Sequence, residues 1–214
     1  MEILKCSGSG EPEEPIYQVV IMQFEDAVTF HGHTCPGLAL GYRVAQKALA
    51  ELEVDRAGDE ELVAVVENNS CAVDAIQVVT GCTFGKGNLY FVDNGKQVYS
   101  FYRRSSDQAV RIAVKWEGPA ESAEEKSAWQ KYTNGDRSPE VVKRVAARKK
   151  RKYEAVMQAD DDELFNISIP EGEAPPKARV YPSVRCNVCG EKVMEPRAFK
   201  RDDKWYCIPC HAGM

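Results

Sequence analysis

The sequence predicts an α+β protein, with helices packed on a mainly antiparallel sheet and a small four-cysteine zinc module at the C-terminal end. Three observations carry this. Stretches with a helical apolar period flank short β-branched runs, those runs succeed one another across turn residues in the middle of the chain, and two C-x-x-C pairs stand near the end. At 214 residues, 43% hydrophobic and 29% charged, the chain is long enough for one core of about 150 residues plus a small module.

Residues 1–15 are rich in Gly, Ser, Glu and Pro and bury too little to order themselves, so a flexible tail is expected there, with no role for Cys6. The core domain is expected over 16–175. From Ile16, IYQVVIMQFEDAVTFHG carries apolar residues on a helical period, and Pro36 opens a second helix, GLALGYRVAQKALAEL, at the first-turn position where its missing N–H costs nothing. HGHTC is then a short connector between two helices. LVAVVE (62–67) suits a buried strand, and Asn69 or Ser70 can cap the helix CAVDAIQVVT, which Gly81 ends. NLYFVD and KQVYSFYR flank Asn94-Gly95, a strong hairpin signal, and QAVRIAVKW adds a third alternating strand. Two helices follow, SAEEKSAWQKY and SPEVVKRVAARKKRKYEAVMQA, the second with Ser138 as N-cap and Pro139 at its first position; ELFNISI returns one edge strand. EGEAPPKARVYP has the composition of a linker, which puts the domain boundary near Pro175 and the module at 176–214.

Cys186-x2-Cys189, seventeen further residues and then Cys207-x2-Cys210 is the spacing that sets four thiolates tetrahedrally about one Zn²⁺. The residues between can fold as a hairpin across Asp202-Asp203, and a module of about 35 residues has too little core to fold without its metal. The competing reading is a redox dithiol or two unrelated cysteine pairs. Residues 176–214 hold eight Lys/Arg against four Asp/Glu, so with four thiolates and one Zn²⁺ the module stays mildly basic. Arg185, Lys192, Arg197, Lys200, Arg201 and Lys204, with Phe199 and Trp205 among them, suit phosphate contact and stacking; Trp205 equally suits the small core.

Two of the three histidines fall in His31-Gly-His33-Thr-Cys35-Pro36, just before a helix whose N-terminus favours a Cys35 thiolate. Cys71 and Asp74 are three apart on one helix face. Cys71 and Cys82 would lie about 16 Å apart along a straight helix, too far to share an ion within one subunit. The preferred metal site is therefore His33, Cys35 and Cys71, with His31 as a fourth ligand and Asp74 as an orienting carboxylate or acid/base. Capping hydrogen bonds and an inert buried thiol are the alternative. The loop 80–88 is glycine-rich with one cation, Lys86, so its amides suit an anionic ligand. A homodimer that exchanges elements would bring Cys82 and Lys86 of one chain to His33 and Cys35 of the other.

The net charge of −5 argues against wholesale nucleic-acid coating, although 143–152 (KRVAARKKRK) holds seven basic side chains and no acid, a run that more often forms a solvated helix face. No stretch approaches the roughly 18 apolar residues of a membrane helix, and the first residues are acidic where a signal peptide is basic and then apolar, so a cytoplasmic protein is expected.

Together, FHGHTCPGLALGYR, CAVDAIQVVTGCTFGKGNL and the four-cysteine module resemble the FmdE family, named for a component of the formylmethanofuran dehydrogenase of archaeal methanogenesis; the likeness runs from about residue 20 to the end. The resemblance implies an α+β core, a treble-clef-like zinc finger, commonly a dimer, and a site at His31, His33, Cys35, Cys71, Asp74 and Cys82. A core transition metal such as Zn²⁺ and a zinc module that contacts a protein partner are expected. Three functions follow: an accessory or enzymatic component in one-carbon or molybdenum metabolism, a metal carrier or sensor, and a nucleic-acid-binding regulator.

Overall fold

The structure, a computed structural model, describes residues 21–213. The expected tail at 1–15 and the expected helix start at Ile16 lie outside the described residues. Two compact units emerge, one running to Pro175 and one from Pro176.

The first unit contains α1 (Phe24–His31), α2 (Pro36–Glu51), β1 (Leu62–Val66), α3 (Ala72–Thr80), β2 (Leu89–Phe91), β3 (Val98–Arg103), β4 (Ala109–Val114), α4 (Ala123–Thr133), α5 (Pro139–Gln158), the single turn α6 (Asp161–Leu164) and β5 (Phe165–Ser168). One sheet has the strand order β2-β1-β3-β4-β5. Three of its four pairings are antiparallel; β1 and β2, joined through α3, run parallel with Ala64 opposite Leu89.

This topology overturns the expected hairpin at Asn94-Gly95. β2 and β3 do not pair with each other, because β1 lies between them and takes both as neighbours. The chain instead passes round the end of β1, where Val92 N–H donates to Val66 O and Lys96 N–H to Glu67 O. β1 is the reason: Leu62, Val63, Ala64 and Val66 are all buried, and a buried strand needs both of its edges satisfied. That tertiary demand outweighs the local preference of an Asn-Gly pair.

α2 is the central helix and touches α1, α3, α5 and β4. Its contact with α3 has no side-chain spacer. A Cβ placed on Gly41 would sit 2.2 Å from Ala72 O and 2.5 Å from Ala72 Cα, so the helices meet backbone to backbone. At the other side of α2, Arg43 donates to the carbonyls of Val156 (2.7 Å) and Ala159 (2.8 Å) and to Asp161 Oδ1 (2.9 Å). One guanidinium thus satisfies carbonyls that the last turn of α5 leaves without helical partners.

The basic run on α5 is divided: Lys143, Arg144 and Lys150 are exposed, while Arg148, Arg151 and Lys152 reach groups on α4 or just before it. Arg148 pairs with Glu121 at 2.7 Å and lies over the Trp129 ring at 4.4 Å; Lys152 also pairs with Glu121, and Arg151 with Glu125 at 2.7 Å. Hydrogen bonds from Lys152 first and Arg148 second hold Glu121 down to about 2.

The second unit carries β6 (Ser183–Arg185), β7 (Lys192–Met194), a 3₁₀ turn (Glu195–Arg197), β8 (Ala198–Arg201), β9 (Lys204–Cys207) and α7 (Ile208–Ala212). β6–β7 and β8–β9 are two antiparallel ribbons. The second turns at Asp202-Asp203, both with positive φ (49° and 59°), the conformation a tight two-residue turn requires and that Asp tolerates.

Candidate metal centre

In the second unit each C-x-x-C pair stands at a ribbon's end. Cys186 and Cys189 follow β6, Cys207 closes β9, and Cys210 lies in α7. The four sulfurs fall within 4.8 Å of one another. Backbone amides of Cys189, Cys207 and Val188 bring the Cys186 thiol down to about 6, whereas hydrogen bonding among the crowded sulfurs, that of Cys207 first, pushes Cys210 up to about 12. Four thiols this close lose their protons together when a cation neutralises them, which is the chemistry of a closed zinc site.

In the first unit, local rules place three elements together. Gly32 ends α1 in the left-handed region (φ 91°), its N–H on Val28 O at 2.8 Å, so the chain reverses immediately after His31. Three residues on, Cys35 is extended (φ −148°) and caps α2, with Leu38 N–H donating to its sulfur at 3.4 Å. A thiol in that position takes the place of the usual Ser or Asp cap. Cys71 precedes α3, and a Cβ on Gly37 would lie 3.3 Å from Cys71 Cβ; the glycines of α2 therefore let Cys71 approach Cys35.

The resulting group is His31, Cys35 and Cys71, with their donor atoms within 4.8 Å of one another. His31 Nε2 lies 3.9 Å from Cys35 Sγ, while its Nδ1 is 2.6 Å from Asp74 Oδ2. Asp74 thereby fixes the imidazole and leaves Nε2 facing the sulfurs, the arrangement by which carboxylates orient ligating histidines. Burial first, and then the neighbouring Cys35 thiol, push Cys71 up. A tetrahedral ion with bonds of about 2.0–2.3 Å needs donors somewhat under 4 Å apart. One nitrogen and two sulfurs at these separations fit such an ion after small side-chain shifts, with a fourth position left over.

His33 lies outside this group. The reversal at Gly32 carries it to the surface, where its ring rests 4.5 Å from that of His31. The order of preference read from the sequence, His33 before His31, is thus inverted by the helix end: His31 still faces α3, and His33 has left the helix.

Cys82 and Lys86 also stand apart from the cluster. Cys82 is 0% exposed, donates to Leu62 O at 3.4 Å, and is pushed up to about 11 by burial, the state of an inert thiol. Lys86 Nζ donates to the carbonyls of Ala57 (3.2 Å), Gly58 (3.3 Å) and Asp59 (3.4 Å). Asn88 adds bonds to Asp59 O and Leu62 O, and a Cβ on Gly81 would sit 2.3 Å from Ala57 O. The 80–88 loop is consequently a clasp on residues 57–62 rather than an anion cradle. An exchange presenting Cys82 and Lys86 to another subunit would break all of these bonds.

The sequence reading did not single out Gly37 and Gly41, although glycines four apart on an amphipathic helix signal close approach. It also missed Asn68, whose Oδ1 accepts from Ser70 N–H at 3.0 Å and whose Nδ2 donates to Lys96 O, tying the Cys71 turn to the loop that leads into β3.

A sheet flanked by helices that bear a His/Cys cluster, joined to a four-cysteine finger, defines a class of metal-binding protein. The chain belongs to the FmdE family: residues 30–166 match the family described as FmdE, molybdenum formylmethanofuran dehydrogenase operon, and residues 179–213 match the prokaryotic dksA/traR C4-type zinc finger. Among curated proteins it is similar to a probable S-adenosyl-L-methionine-binding protein of Archaeoglobus fulgidus, 32% identical over 178 residues, covering 80% of this chain. The chain spans about half (48%) of that relative's length. Among solved structures it resembles an FmdE-like protein of the tungsten formylmethanofuran dehydrogenase type from Syntrophus aciditrophicus, with a TM-score of 0.55 and 23% identity over 88% of this chain and 90% of that one, a likeness of fold. Among the described residues no helix is long and apolar enough to cross a membrane.

Proposed function

We propose that the chain is a two-site metal protein, in which His31, Cys35 and Cys71 hold a thiolate-preferring divalent ion such as Zn²⁺ and leave one position open to a small ligand. The carrying observation is the His31–Asp74 bond, which turns Nε2 toward two sulfurs. The bound ion would act as a Lewis acid. The chain's own contribution is to orient His31 through Asp74, to fix the Cys35 sulfur with Leu38 N–H, and to keep Cys71 within reach through Gly37. In this reading the chain serves as an accessory or enzymatic component in one-carbon metabolism.

The zinc module is the partner-binding part. Val188, Met194, Phe199 and Ile208 are all at least 45% exposed, apolar side chains suited to a protein partner. The pairing of α5 with Glu121 and Glu125 weakens the alternative of a nucleic-acid regulator, since those cations are already engaged.

The test is metal content per chain by elemental analysis of the full protein and of the double variant Cys35→Ser/Cys71→Ser. Two ions falling to one supports the reading. A single ion in both proteins would remove the core site.

A further inference from the structure

We infer that Cys35 and Cys71 are also a redox pair, which a small hydroperoxide closes into a disulfide with loss of the core metal. The inference rests on the reading of the same cluster as a metal site, and it adds a covalent modification to it.

The two sulfurs lie within 4.8 Å of each other. Cys71 sits against the first turn of α2, at whose start Cys35 stands, so the two sulfurs need close only a short gap to bond. The remaining described thiols are differently placed. Cys82 is enclosed and bonded to Leu62 O, and the other four form the zinc module. Cys35 is 7% exposed beneath the exposed turn 32–34, which restricts the oxidant to a small one; Cys71 is half-buried.

In the first step the Cys35 sulfur, which accepts from Leu38 N–H, attacks one peroxide oxygen. The O–O bond breaks, the leaving oxygen takes a proton and departs as water or an alcohol, and Cys35 becomes a sulfenic acid. The Cys71 sulfur then attacks the Cys35 sulfur, the S–O bond breaks, and hydroxide leaves as water with the proton that Cys71 gives up. His31 Nε2, 3.9 Å from Cys35 Sγ, is placed to pass that proton. Two thiols lose two electrons in all, and the hydroperoxide gains them. With both sulfurs joined, His31 alone remains of the three donors, too few to retain an ion.

The experiment uses the full chain loaded with Zn²⁺ and treated with one equivalent of hydrogen peroxide. Peptide mapping without reductant and a chromogenic zinc chelator are read together. The expected result is a Cys35–Cys71 crosslinked peptide as the first disulfide, one zinc released per chain, and recovery of binding after dithiothreitol. Cys82→Ser should leave the crosslink unchanged. Sulfinic acid at Cys35 without a crosslink, or a first disulfide confined to Cys186, Cys189, Cys207 and Cys210, would overturn the redox pair and leave the metal reading standing. A chain that takes up no core zinc yet forms the Cys35–Cys71 crosslink would keep the pair and remove the metal reading.

Discussion

Cys186 and Cys35 each receive a backbone N–H at 3.4 Å, from Cys207 and Leu38 respectively, yet the two sulfurs belong to opposite kinds of site. Around Cys186 the unit is small, its ribbons are two-stranded, and most of its apolar side chains remain exposed, so the four sulfurs are its centre of organisation. Around Cys35 a preformed core supports the donors: α2 buries Leu38, Ala39, Val44, Ala45 and Ala48, and Asp74 is already bonded to His31. The difference teaches that one site makes its fold and the other is made by its fold.

The sharpest test of that contrast is metal removal. Chelation, or Cys207→Ser, should unfold residues 176–213 while the core persists, read by limited proteolysis of the module against a retained near-ultraviolet signal from the core aromatics. A core that melts together with the module would break the comparison. Next in size is Gly41→Val. Forcing a branched side chain into the Ala72 backbone should cost at least about 3 kcal/mol in urea unfolding and should lose the core ion with the fold. Asp74→Asn isolates the orienting bond: core zinc affinity should fall about 10–100-fold in chelator competition while the unfolding midpoint hardly moves. Cys82→Ala should do the reverse, lowering stability by about 1 kcal/mol with core zinc affinity unchanged. The smallest effect concerns pH. The carboxylate of Glu121 is held low by Lys152 and Arg148, so its contribution is present above the ordinary carboxylate range and is lost as pH falls from about 4.5 toward about 2. Glu121→Gln should flatten acid unfolding in that window, as followed by circular dichroism.

The module was legible in the sequence because four ligands of one type at fixed spacing have a single good solution, and Asp202-Asp203 stands where the second ribbon turns. Pro36, Gly81 and the Ser138-Pro139 pair mark helix ends correctly, since those signals act within a turn of themselves. The N-cap of α3 is Cys71, with no side-chain capping bond, rather than Asn69 or Ser70; Asn68 bonds Ser70 N–H in the turn before it. Long-range demands were illegible. Nothing in NLYFVDNGKQVYSFYR announces that β1 will lie between its two strands, and nothing in the 80–88 loop shows which carbonyls Lys86 meets. The basic run of α5 similarly gives no sign of Glu121 and Glu125, the acids that engage it. For the cluster, the residue types were visible, while the choice between His31 and His33 depended on where α1 stops.

The glycine contact between α2 and α3 has one more consequence. Where helices meet through bulky side chains, their separation can drift as those side chains change rotamer or are substituted, and a site spanning them drifts as well. At Gly41 there is no such play: main chain rests on main chain, and the spacing is fixed by atoms common to every residue. Cys35 and Cys71 are thus carried by something close to a mechanical stop. Substitutions elsewhere in the core are free to alter stability while the gauge of the cluster stays the same.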